Sequence, residues 1–367
     1  MLNEQLKDLV VQQHPGMLYI PSSADDGVSG HGPYSALTAK EYFNKATPKL
    51  HTERGMPNIM TFEGLSRTLR KEHLWPQNNY WGQHDFTMQG AQKGSTFNLL
   101  TEQALGASSD AADFTIKAQW INYNGYRAMY ESNHQTRSGL LIWMSHPAFP
   151  SMTWQTYDYY FEPTAAYFAC KKACEPLHLQ WNAATDSIQL VNLYVENCKT
   201  MTATAEILDM YGKPVWKQTM KVCPMADSTT NLMLLPKERL TTDVGFLRLS
   251  LTGQHYKSIC DNIYVFGKEE NNYQALNNLP KTTIKQTIQS RGNTSMRVVL
   301  KNTGKVPALM VRLNLVTSDG EQILPVHYSD NYFHLMPGEE KCVDISWKKE
   351  DARGMDVSVQ VSGYHQM

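Results

Sequence analysis

Glu53 closes the strand-like run Lys49-Leu50-His51-Thr52 and is followed at once by Arg54-Gly55-Met56-Pro57. A carboxylate at a strand end, with a glycine behind it that lets the chain turn sharply, suits a nucleophile held on a rigid element. The same spacing also suits a glutamate at a helix start or a surface ion pair with Arg54. Upstream, Pro21 to Tyr34 is a long, Gly-rich polar loop in which Asp25 or Asp26 could hydrogen-bond a ligand hydroxyl or pair with an amine. A solvated turn is the plain alternative.

Aromatic residues crowd the same part of the chain: Trp75, Trp81, Trp143, Phe149, Trp154, Tyr157, Tyr159 and Tyr160. Sugars present apolar C–H faces that stack on such rings, while polar neighbours bond their hydroxyls. Core packing is the ordinary fate of any single Trp, but Trp143 lies near the end of the apolar run Gly139 to Met144 and so falls near a strand end. Other chemistry finds no matching pattern. The sequence holds no GxSxG elbow, no GxxxxGK[ST] phosphate loop and no GxGxxG after a strand. His51, His84 and His146 lack ligand spacing, so substrate hydrogen bonding or packing is the reading for each. The six cysteines, Cys170, Cys174, Cys198, Cys223, Cys260 and Cys342, form no CxxC pair and no Cys/His cluster at zinc spacing. Cys170 and Cys174 lie four apart on an expected helix and are read as packed thiols.

The elements that must position these residues change character near Pro176. Before it, short apolar runs alternate with helical patterns. Met17 to Ile20, Lys49 to Thr52 and Gly139 to Met144 are strand candidates. Ser108 to His134 reads as a long helix with Phe114, Ile116, Trp120, Tyr123, Tyr126 and Tyr130 for its buried face. Another helix runs from Pro163 to Cys174. This is the rhythm of a (β/α) barrel, although only about three units are present where closure needs eight. After Pro176 the apolar pattern has period two, as in Ser187 to Val195, Thr202 to Leu208, Gly245 to Leu251, Ser295 to Leu300 and Ala308 to Val316. Two immunoglobulin-like sandwiches in tandem are expected, joined by the linker-like stretch Asn271 to Pro280.

Several of these segments resemble glycoside hydrolase family 2. They are His51 to Pro57, Gly139 to Met144 and Trp154-Gln155-Thr156-Tyr157-Asp158-Tyr159-Tyr160, with Gly32-Pro33-Tyr34 matching a loop of these enzymes. Ala166 to His178, and the tail Leu324-Pro325-Val326 with Ser329 to Glu339, are similar to the exo-β-D-glucosaminidase and β-mannosidase branch. The resemblance implies the C-terminal half of a (β/α)8 barrel over residues 1–176, with immunoglobulin-like sandwiches over 177–276 and 277–367. It also implies a retaining exo-β-glycosidase that works by double displacement. By motif position Glu53 is the nucleophile, at the end of the seventh barrel strand. Met17 to Ile20 would be the sixth strand and Gly139 to Met144 the eighth. The family's acid/base is a glutamate after Asn or Asp on the fourth strand, a segment not found in this chain. Trp143, Trp81, Trp154, Asp26 and Tyr34 are the expected substrate contacts. No metal or organic cofactor is implied, because a carboxylate pair suffices for the chemistry.

Composition narrows the partners. The formal net charge of -1 offers no basic excess for nucleic acid or an anionic membrane surface. The longest apolar runs fall short of the roughly 18–20 residues of a membrane span, so a soluble chain is expected. The N-terminus lacks a signal-peptide pattern, and Leu2, Leu6, Leu9 and Val10 place it inside an amphipathic helix. A truncated chain or a split gene is therefore expected, with a complementary N-terminal part as partner and little hydrolase activity from this chain alone. For the full-length enzyme a periplasmic or secreted setting is expected. Glucosaminide and mannoside stay open as substrates. The alternative to an enzyme is a non-catalytic module whose sandwiches bind a glycan or a protein.

Overall fold

The computed structural model describes the whole chain except residues 25–26, 31–33, 46–48, 91–92, 133–135 and 365–367 and the side chain of Tyr256. It begins with helix α1 (Leu2–Gln13), strand β1 (Val28–Ser29), helix α2 (Ala39–Asn44) and strand β2 (Leu50–Arg54). Helices α3 (Phe62–Thr68), α4 (Asn79–Gln83), α5 (Gly94–Leu105) and α6 (Ala111–Glu131) precede strand β3 (Gly139–Ile142) and helix α7 (Ala165–Ala173). The three strands pair in parallel in the order β1-β2-β3, with Val28 opposite Leu50 and Leu50 opposite Gly139. Parallel pairing demands a long crossover, and the helices between β2 and β3 supply it.

Helix α6 is the beam of this layer. Asp110 caps it by accepting from the Asp113 N–H at 2.9 Å. Phe114, Trp120 and Tyr126 are buried along it as their helical spacing predicts, whereas Ile116 faces solvent. Gly125 lets the helix close on the segment leaving β2, because a Cβ there would overlap the Met56 sulfur.

One expected strand is replaced. Met17 to Ile20 has no regular secondary structure, and β1 lies further on at Val28–Ser29. An apolar run becomes a strand only where a neighbour's edge accepts its backbone hydrogen bonds, and here it is Val28 and Ser29 that lie beside Leu50 and His51. Met17 and Leu18 are instead exposed, and α1 buries none of its residues.

Beyond Pro176 the chain is β throughout. Strands β4 (Leu177–Asn182), β5 (Ser187–Asn192), β6 (Met201–Asp209), β7 (Pro214–Val222), β8 (Ser228–Leu234), β9 (Val244–Thr252) and β10 (Ser258–Gly267) form antiparallel sheets β4-β5-β8 and β10-β9-β6-β7. Leu179, Ile188 and Leu190 of the first share one apolar core with Ala205, Leu247, Leu249 and Phe266 of the second. A second pair of antiparallel sheets follows. It comprises β11 (Ile284–Gly292), β12 (Ser295–Asn302), β13 (Ala308–Thr317), β14 (Val326–Tyr328), β15 (Phe333–Leu335), β16 (Glu340–Trp347) and β17 (Val357–Tyr364), ordered β11-β12-β16-β14 and β15-β13-β17.

The helical layer is keyed into both pairs. Arg127 of α6 donates to Asn262 Oδ1 (3.1 Å) and the Ile263 carbonyl (2.8 Å). Trp120 of α6 meets Tyr364 of the last strand edge-on at 5.1 Å. Arg312 of β13 donates to both carboxylate oxygens of Glu63 on α3 (3.0 and 3.1 Å) and to Glu162 (2.5 Å). No helix of the described residues is long and apolar enough to cross a membrane.

Candidate active site

Glu53 is the fourth residue of β2 (Leu50–Arg54) and is half-buried. Arg54 lies over the Tyr42 ring at 5.5 Å, and among the described residues no ion pair joins it to Glu53, the pairing the sequence left open. Glu53 Oε1 instead accepts a 2.7 Å hydrogen bond from the Tyr34 hydroxyl. Burial, and then the Glu53 charge, raise the Tyr34 pKa above its ordinary value. The phenol therefore keeps its proton and remains a donor.

Two glycines bring the surrounding backbone close. A Cβ on Gly30 would overlap Thr52 Oγ1 and come within 2.8 Å of Glu53 N. The Gly30 loop is tied there by Ser23 Oγ donating to the Gly30 carbonyl (2.7 Å) and Thr52 Oγ1 donating to the Ser23 carbonyl (2.9 Å). A Cβ on Gly55 would overlap the Trp143 carbonyl oxygen and lie 3.1 Å from Trp154 Cβ. The chain turning out of β2 thus passes directly under Trp143 and Trp154.

Both tryptophans are fixed through their backbones. Trp143 N donates to the Arg54 carbonyl (2.8 Å), Met144 N to the Trp154 carbonyl (2.7 Å) and Trp154 N to the Met56 carbonyl (3.1 Å). Tyr126 Oη donates to the Trp154 carbonyl at 2.8 Å, anchoring this turn to α6. The Trp143–Met144 peptide is cis, and Trp154 has a φ of +70°. Trp143 is 41% exposed. Trp154 meets the Tyr34 ring edge-on at 5.9 Å, and its Nε1 is buried without a hydrogen-bond partner. The arrangement is a strand-end carboxylate, a phenol donor on it, and two indoles anchored beside the strand end. Such a site can present an oriented carboxylate to a ligand with an apolar face.

The remaining candidates scatter. Trp81 is fully buried, packs against Phe86 and Phe114, and donates through Nε1 to the His73 carbonyl. A ring without exposed area cannot stack on a ligand, so the expected substrate contact at Trp81 is corrected to core packing. Trp75 packs on Phe114 as well. Asp26, like Asp25, lies outside the described residues. His51 is buried and its pKa is pushed down to about 4 by burial, then by Arg54 and Arg137. His146 stacks on Phe161 at 4.4 Å. Asp158 accepts from the backbone N–H groups of Tyr160 and Glu162, both at 2.9 Å. Burial, and then Glu162, push it up to about 7. Among the described residues no hydrogen bond or ion pair joins Asp158 or Asp85 to Glu53.

Sequence reading missed that Tyr34 bonds Glu53 directly. Its position near Gly32-Pro33 marked a loop, but nothing local fixed where the phenol would reach. Gly30 was likewise one glycine among several.

Residues 262–365 match the family model described as the exo-β-D-glucosaminidase Ig-fold domain. The chain is 25% identical over 393 aligned residues to the exo-β-D-glucosaminidase of Amycolatopsis orientalis, covering 94% of this chain and 38% of that protein. The chain is similar to the exo-β-D-glucosaminidases. It is also 26% identical over 330 residues to the mannosylglycoprotein endo-β-mannosidase of Lilium longiflorum, covering 71% of this chain and 34% of that one. Its fold matches the crystal structure of the exo-chitosanase of Amycolatopsis orientalis with a TM-score of 0.85 and 22% identity, over 100% of this chain and 49% of the other. The resemblance to the glucosaminidase and mannosidase branch of glycoside hydrolase family 2 is thereby borne out, and an immunoglobulin-fold domain is present at the C-terminus. The chain spans about half of that solved relative and less of the curated ones.

Proposed function

We propose that this chain is the C-terminal portion of a retaining exo-β-glycosidase acting on terminal β-linked glucosaminides or mannosides, with Glu53 as its nucleophile. On this reading β1, β2 and β3 are three consecutive strands of a (β/α)8 barrel, and the two pairs of antiparallel sheets are immunoglobulin-like domains. One observation carries the proposal. Glu53 stands at the C-terminal end of a parallel strand, where barrel enzymes place their chemistry, and is oriented by Tyr34 beside Trp143 and Trp154.

The steps follow from two carboxyl groups about 5–5.5 Å apart. A Glu53 oxygen attacks the anomeric carbon, forming a glycosyl ester as the bond to the leaving oxygen breaks. A carboxylic acid from the barrel's other half gives that oxygen its proton. The same group then takes a proton from water, which attacks the anomeric carbon and releases Glu53. Tyr34 fixes one carboxylate oxygen and leaves the other free to attack. The indoles bind the sugar's C–H face. A solved relative with the same fold is bound to PNP-β-D-glucosamine, which supports the substrate class. The expected periplasmic or secreted setting is likewise proposed only for the full-length enzyme.

The chain alone is expected to turn over neither aryl β-glucosaminide nor aryl β-mannoside. Joined to the amino-terminal half encoded by its own upstream reading frame, it should hydrolyse one of them with retention. Glu53→Ala should then abolish turnover, and azide should restore it with an α-glycosyl azide as product. Activity that survives Glu53→Ala without azide would remove Glu53 from the mechanism. Oligosaccharide binding without cleavage by the joined protein would favour a non-catalytic module.

A further inference from the structure

A second group of chemically capable side chains lies away from Glu53, where the end of α6 meets the first pair of sheets. Glu175 follows α7 in the turn into β4, His178 is the second residue of β4, and Cys260 comes from β10. His178 Nδ1 lies 3.3 Å from Glu175 Oε2 and 3.8 Å from Cys260 Sγ. All three donor atoms lie within 4.8 Å of one another. We propose that Glu175 Oε2, His178 Nδ1 and Cys260 Sγ bind one divalent transition-metal ion, zinc by the chemistry of the donors, and so staple the helical layer to the sheets.

The distances suit that ion. Tetrahedral zinc with Zn–N and Zn–O near 2.1 Å and Zn–S near 2.3 Å separates N from O by about 3.4 Å and N from S by about 3.6 Å. The spacings at His178, 3.3 and 3.8 Å, lie within about 0.2 Å of these values. A mixed thiolate, imidazole and carboxylate set is a borderline-soft donor set that favours zinc over calcium or magnesium.

The groups behind the ligands point the same way. His178 Nε2–H donates to Glu131 Oε1 at 2.9 Å, and that oxygen also accepts from Tyr264 Oη at 2.7 Å. Such a carboxylate on the far ring nitrogen fixes the tautomer and aims the Nδ1 lone pair at the metal position. Lys172 Nζ holds the other Glu175 oxygen at 2.8 Å, and the Leu179 N–H donates to Cys260 Sγ at 3.5 Å. Each ligand therefore has its own supporting donor or acceptor. His178 and Cys260 are buried, while the Glu175 side chain is 30% exposed, leaving a path for an ion and a position for water as fourth ligand.

The competing occupant is a proton. A doubly protonated imidazole would bridge Glu131 and Glu175 through its two N–H groups, and the sulfur would then play no part. Participation of Cys260 in metal binding separates the two.

The full chain, stripped with chelator and dialysed, should take up one equivalent of zinc by elemental analysis. Cobalt(II) in its place should give a thiolate-to-metal charge-transfer band in the near ultraviolet. Cys260→Ser should lose that band, and Glu131→Gln should weaken zinc binding about 10- to 100-fold. Absence of stoichiometric zinc, or of the thiolate band, in the unmodified chain overturns the proposal whether or not any variant folds. Equal binding by Cys260→Ser overturns it too. If Cys260→Ser fails to fold, Glu175→Gln, altered at the exposed ligand, must show weakened binding in its stead.

Discussion

Tyr34 Oη and Glu53 Oε1 stand 2.7 Å apart, joining a loop to the tip of β2 across nineteen residues of sequence. A hydrogen bond to an ionised group is worth about 1.5–3 kcal/mol. In the joined enzyme, Tyr34→Phe should lower kcat/KM about 10- to 100-fold while the ring contact with Trp154 persists. Steady-state kinetics on an aryl glycoside check this, and an unchanged kcat/KM would deny Tyr34 any part in orienting Glu53.

Gly30→Ala and Gly55→Ala should each destabilise the fold by about 1–3 kcal/mol, the usual cost of overpacking. The new methyl at Gly30 meets Thr52 and Glu53, and that at Gly55 meets the Trp143 carbonyl. Urea midpoints report the loss. Gly320→Ser, in a turn where a Cβ meets nothing within 4 Å but φ is +88°, provides a control for backbone strain alone.

Trp81 and Trp143 should behave oppositely. Trp81→Ala empties a fully buried site and should cost about 3–5 kcal/mol. Trp143→Ala, at a ring 41% exposed, should cost far less stability but weaken sugar binding. Thermal melts with and without glucosamine, compared across the two variants, distinguish the roles.

Arg312 should prove the most expensive ion-pair residue. It faces Glu63 and Glu162, and Glu162 is itself buried, accepting from Thr61 (2.7 Å) and Gln322 (3.1 Å). Arg312→Met leaves that carboxylate without its cation, so a loss of about 3–5 kcal/mol is expected. Denaturant unfolding measures it.

His334 packs between Trp120 (5.3 Å) and Phe246 (6.0 Å), and its Nδ1 accepts from the Met310 N–H at 3.3 Å. Burial, and then Arg127, push its pKa down to about 3. The unfolded chain takes up this proton near pH 6.5 and the folded chain only near 3. The stability His334 contributes is therefore complete above 6.5 and lost as the pH falls toward 3, at no more than about 1.4 kcal/mol per pH unit. Asp158, pushed up to about 7, acts in the opposite sense, so the useful comparison is between His334→Gln and the unmodified chain. The variant's stability should fall less between pH 6.5 and 4.5, as read from urea midpoints.

Local pattern alone revealed much of this protein. The period of α6, the alternation of β6 and β9, the change of character at Pro176 and the Glu-Arg-Gly-Met-Pro run at Glu53 are all legible within a few turns of chain. Their causes are local: helical and pleated geometry set which residues share a face. What stayed hidden depended on partners distant in sequence. Met17 to Ile20 is as apolar as a strand, yet Val28 and Ser29 are the residues placed along the β2 edge. Trp81 has the composition of a sugar platform, yet Phe86 and Phe114 enclose it. Tyr34 reaches Glu53, and Cys260 reaches His178 across eighty-two residues, only because backbone hydrogen bonding and core packing bring separate segments together. Residue type and local spacing thus determined which groups could do chemistry and on which kind of element they sit. Tertiary packing decided which of them meet, because contact between distant segments depends on the closure of the whole core and not on any one window of sequence.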